Sequence, residues 1–104
     1  MNIKSLLFAT LILAATVFPI NAQSAKSALK AGDAFVAQEN YKAAIEEYRK
    51  VSSRDRESYA RALYNIGVCH YELWQTEDAI VSYKRAIELK RGNYPVASYA
   101  LGVA

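Results

Sequence analysis

The chain has 104 residues, enough for one small domain. With 53% apolar and 22% charged residues, its composition is that of a globular chain and excludes a disordered one. Thirteen basic residues against ten acidic leave a formal charge of only +3, which gives no electrostatic reason to expect nucleic acid.

Met1 to Lys4 form a short segment with one positive charge. Ser5 to Phe18 are almost wholly apolar, Pro19 then breaks the run, and Ala22 offers a small residue at the expected cut. This tripartite pattern predicts a secretory signal peptide over residues 1–22, cleaved to leave Gln23 first. It places the protein in the periplasm or outside the cell. The competing reading is an uncleaved anchor, which would be the one contact with a membrane. The apolar run is short for a span, which needs roughly 20 residues. The leader holds no cysteine for lipid attachment. The lone Cys69 has no partner for an internal disulfide, so packed apolar area has to hold the fold.

Beyond the leader the sequence repeats itself. Gly32, Gly67 and Gly102 recur every 35 residues. The same offset carries Ala44 to Ala79, Ile45 to Ile80, Tyr48 to Tyr83, Tyr59 to Tyr94 and Tyr64 to Tyr99. Such a period marks a solenoid whose units bury their apolar faces against their neighbours. Each unit reads as two helices. In the first unit Ala28, Ala31, Gly32 and Phe35 share one face, a turn follows at Glu39-Asn40, and Ala44, Ile45, Tyr48 and Val51 make the second stripe. In the second unit Leu63, Ile66, Gly67 and His70 are followed by a break at Gln75-Thr76, then Ala79, Ile80, Tyr83, Ala86 and Ile87. Asn40 suits an N-cap. Glu77 and Asp78 at one end, and Lys90 and Arg91 at the other, complement a helix dipole. A helical glycine costs about 1 kcal/mol relative to alanine. Its recurrence at one place implies that paired helices cross closely there, with Tyr48 and Tyr83 packing one turn further on.

The stretch Leu63-Tyr64-Asn65-Ile66-Gly67, then Tyr71, Ala79-Ile80, Tyr83 and Ala86-Ile87-Glu88-Leu89, resembles the tetratricopeptide repeat, as does Ala31-Gly32, Phe35, Tyr41, Ala44-Ile45, Tyr48. The resemblance covers about residues 25–104. It implies an all-α fold, an α-solenoid of antiparallel helical hairpins, with units at about 25–59 and 60–94 and the first helix of a third over 95–104. Leu63, His70 and Trp74 depart from the residues usual in that family. The resemblance also implies a scaffold that binds a protein or peptide partner, with no catalytic, cofactor or metal site. The family's groove is lined by the first helix of each unit. That places Lys26, Leu29, Asp33 and Val36, with Arg61, Tyr64, Asn65, Val68, Tyr71 and Glu72, on the partner-facing side. One subclass captures a C-terminal carboxylate with basic and amide groups. Leu29 and Asp33 stand where those groups should be, so that ligand is rejected.

Cys69 and His70 are adjacent, but neighbouring helix residues point about 100° apart and cannot form a nucleophile–base pair. Cys69 reads as a small buried hydrophobe and His70 as a packing residue. Arg54, Arg56 and Arg61, interrupted by Asp55 and Glu57, read as a solvated inter-repeat segment. Trp74 is either an exposed anchor or folds back over Leu73. The array stops part-way through a third unit, leaving Tyr99, Leu101 and Val103 as an apolar strip. It therefore reads as the first part of a longer scaffold, with self-association through the open C-terminal end as the lesser reading. The alternative function is an accessory repeat region of a longer exported enzyme whose chemistry lies beyond Ala104.

Overall fold

The computed structural model describes residues 20–104, with side chains from Ser24 onward. The main body of the expected leader, residues 1–19, lies outside the described residues. Five helices follow one another: α1 (Ile20–Ala37), α2 (Tyr41–Tyr48), α3 (Arg56–Glu72), α4 (Thr76–Leu89) and α5 (Pro95–Val103). No strand occurs among the described residues. Each helix packs on the next, and α1 also packs on α3. The order is that of two helical hairpins, α1–α2 and α3–α4, with α5 added as the next first helix.

The boundaries follow from the sequence. Asn40 caps α2, its Oδ1 accepting from the Ala43 N–H at 3.4 Å, and Asp55 caps α3 by accepting from the Ser58 N–H at 3.1 Å. Glu77 and Asp78 occupy the first turn of α4. Pro95 starts α5, where its missing N–H costs nothing. Three helix ends share one device. The N–H groups of Asn40, Gln75 and Gly92 reach back to the carbonyls of Phe35, His70 and Ile87 at 2.8–2.9 Å. The residue before each, Glu39, Trp74 and Arg91, is left-handed, at φ 57°, 61° and 54°. These are Schellman closures with a non-glycine residue in the place glycine usually takes.

The core is built from small residues and tyrosine. Ala25, Ala28, Leu29, Ala44, Ile45, Tyr48, Val51, Ala62, Ile66 and Cys69 form one buried cluster. Ala79, Tyr83, Ala86 and Ala97 are buried further along the array. The repeating close approach is as the sequence implies. A Cβ placed on Gly67 would meet the Tyr83 ring at 2.5 and 2.6 Å, and one placed on Gly32 would run still further into the Tyr48 ring. Both rings are buried, at 2% exposure, so neither can swing aside. Gly102 meets nothing within 4 Å.

The basic cluster is exposed as expected, but it is not a loop: α3 begins at Arg56, and several of these side chains reach other elements. Arg56 donates to the Leu89 carbonyl at 3.0 Å, tying the start of α3 to the end of α4. Lys90 pairs with Glu57 at 2.8 Å and lies 5.6 Å from the centre of the Tyr94 ring. Arg61 pairs with Asp33 across α3 and α1 at 3.5 Å. Arg56, Glu57 and Arg61 therefore reach partners beyond their own helix, while Asp55 caps it.

Gly67→Ala should trade up to about 1 kcal/mol of helix propensity against overpacking worth about 1–3 kcal/mol. The expected net is a loss of up to about 2 kcal/mol in denaturant unfolding, toward the upper end because the ring it strikes is buried. Gly102→Ala, with open space around it, should leave stability unchanged or slightly raised.

Candidate functional site

The first helices of the units, α1, α3 and α5, present two adjoining clefts. The larger, about 460 Å³, lies between α3 and α5. Tyr64, Val68 and Tyr71 line it from α3, and Val96, Tyr99 and Val103 from α5. Tyr83 forms part of its floor. Its only side-chain polar groups are tyrosine hydroxyls. Tyr64 is locked in place, its ring centre 5.9 Å from that of Tyr83 and 5.7 Å from that of Tyr94. Tyr71 and Tyr99 are exposed, at 41% and 77%, and leave their rings available.

The smaller cleft, about 250 Å³, is lined by Lys26, Leu29, Lys30 and Asp33 of α1 and by Arg61 of α3. Here Asp33 is engaged within the fold. Its Oδ1 accepts from the Tyr48 hydroxyl at 2.6 Å, and its Oδ2 faces Arg61. Burial, then that hydrogen bond, raises the Tyr48 pKa far above the ordinary tyrosine value. The exposed Asp33–Arg61 pair adds little stability by itself.

Of the groove residues expected from the sequence, Tyr64, Val68 and Tyr71 converge on the apolar cleft, and Asp33 and Arg61 on the cationic one. Val36 is half-buried against the core, Asn65 is half-buried, and Glu72 is exposed; these three line neither cleft. The α5 half of the apolar cleft was missed. The 35-residue offset contains it, because it carries Arg61, Tyr64 and Val68 to Val96, Tyr99 and Val103.

Two residues singled out in the sequence have settled places. Cys69 is fully buried, and burial, helped by Glu72, pushes its thiol up to about 11. His70 is half-buried with its Nδ1 hydrogen-bonded to Gln75 Oε1 at 2.7 Å, bracing the α3–α4 turn. No group of three or more metal-ligating side chains occurs among the described residues, and no helix among them is long and apolar enough to cross a membrane. Trp74 does not fold over Leu73; it is 92% exposed.

Paired helices stacked at a fixed period, with clefts between the first helices, define a helical-repeat solenoid. A family model, Tetratricopeptide repeat, matches residues 18–92, so the chain belongs to the tetratricopeptide-repeat family. Such repeats generally mediate protein–protein interaction and are typically non-catalytic scaffolds. No curated protein and no solved structure matches the chain at a significant level.

Two outcomes follow from these environments. The Cys69 thiol titrates near 9.0 when unfolded and about 11 when folded, so it is neutral in the fold where the open chain would ionise it. The stability this lends is whole below pH 9 and is lost as pH rises toward 11. Tyr83, pushed up to about 12 chiefly by burial, extends the same trend. Thermal unfolding at a series of pH values should show the decline, and Cys69→Ala should flatten its first part. Trp74→Gly should raise stability by about 1 kcal/mol in denaturant unfolding, since glycine relieves the left-handed backbone and no packing is lost.

Proposed function

We propose that this is an exported tetratricopeptide scaffold which captures a protein or peptide partner in the periplasm or cell envelope, using the concave face of α1, α3 and α5. The observation that carries the reading is the apolar cleft between α3 and α5. Its volume falls within the range of about 300–1,000 Å³ typical of ligand sites. Amphipathic aromatic rings such as those of Tyr71 and Tyr99 are the side chains that anchor protein interfaces. Export is supported by Lys4, the apolar run that follows it, and the small residue Ala22.

Tyr64 is unsuited to a binding test, because it packs on Tyr83 and Tyr94. Tyr71→Ala combined with Tyr99→Ala should reduce crosslinked capture of envelope proteins about tenfold or more, with an unchanged far-UV circular dichroism spectrum. Equal capture by the wild type and the double variant would remove the cleft from the binding surface. N-terminal sequencing of the protein recovered from the envelope fraction should begin at Gln23. An uncut chain in the cytoplasm would overturn export.

A further inference from the structure

The two clefts differ in chemistry and adjoin on α3. Arg61 lines the cationic one and Tyr64 the apolar one. At three residues apart on one helix they are neighbours on its surface, about 5–6 Å between Cβ atoms. A segment lying across the first helices would therefore meet both. In the cationic cleft the single carboxylate, Asp33, is already engaged by Tyr48 and Arg61. Lys26 and Lys30, one helical turn apart on α1, are exposed and form no ion pair among the described residues. Their charge is thus left for a partner. The apolar cleft contributes no charge of either sign.

Building on the proposed peptide-binding groove, we infer that the concave face selects an acidic–apolar peptide: Asp or Glu side chains set against Lys26 and Lys30, and aliphatic or aromatic ones seated between Tyr71, Tyr99 and Val103. Adjacent helices lie about 8–10 Å apart and an extended chain advances about 3.3 Å per residue. The lysines stand on α1 and the apolar seat lies between α3 and α5, about one and a half helix spacings further on, so the acidic and apolar positions of the peptide are about four residues apart. The acidic groups steer and orient the peptide, whereas the apolar ones bury area. The recognition differs from capture of a chain terminus, because Leu29 and the already engaged Asp33 line this cleft where such capture would need basic and amide groups.

The test is selection of a displayed random-peptide library on the immobilised full chain, followed by affinity measurement of the enriched peptides. Enriched peptides should combine Asp or Glu with aliphatic or aromatic residues at that spacing. Lys26→Glu with Lys30→Glu should weaken them about tenfold or more, as should added salt. Tyr99→Ser should weaken them comparably, and both variants alter exposed residues and leave the circular dichroism spectrum unchanged. Apolar peptides without acidic residues, bound equally by the Lys26→Glu/Lys30→Glu variant, would overturn the inference while leaving the groove intact. Failure to enrich any peptide, or binding indifferent to Tyr99→Ser, would overturn both the inference and the groove.

Discussion

The fold depends on a tyrosine ring pressed onto a glycine inside each hairpin. Tyr48 lies on Gly32 and Tyr83 on Gly67, so closely that a methyl group cannot be placed between them. The contact fixes how near the two helices of a unit come, and therefore where the next unit stacks. Alanines at 44 and 79, both fully buried, allow the same approach from the opposing helix. With no disulfide, and with small residues making up much of the core, the protein relies on this repeated contact where a larger domain would use bulky aliphatic packing.

Because the second helices α2 and α4 fill one side of the first helices, the other side of α1, α3 and α5 is left as a surface. What that surface presents changes along the array. Lys26, Lys30 and Arg61 come first, and tyrosine and valine follow. Asp33 is tied down within this surface, linking the Tyr48 hydroxyl to Arg61. A residue that would repel an anionic partner is thereby partly neutralised within the fold. Trp74 stands apart from both clefts. It holds a left-handed backbone with its indole in solvent, a conformation that glycine would adopt with less strain.

Much of the architecture was legible because it rests on local rules and on a period. The repeat offset located both Gly–Tyr contacts, the Glu39-Asn40 and Gln75-Thr76 breaks fell at real helix boundaries, and Asn40 caps as expected. The groove was legible only in part. Tyr64, Val68 and Tyr71 face a common cleft, but Val36 turns to the core, and Asn65 and Glu72 stay outside both clefts. Helical periodicity assigns a residue to a face within about a turn. It does not say whether the neighbouring helix covers that face.

The sequence by itself determined that the chain is a helical-repeat array, since small residues and tyrosines recur at a constant offset with a packing reason, and its motifs resemble the tetratricopeptide repeat. It also located the breaks within each hairpin, at Glu39-Asn40 and Gln75-Thr76, but not the start of α3 at Arg56, inside the stretch that reads as an inter-repeat segment. Only the tertiary structure decided which charges are spent. Arg56, Glu57 and Arg61 read as a solvated run, yet each reaches a partner beyond its own helix, at Leu89, Lys90 and Asp33. It alone joined α5 to α3 as the two walls of one cleft. The reason is physical: ion pairing and cleft formation depend on distances between segments about 30 residues apart in the chain, which local propensity does not encode.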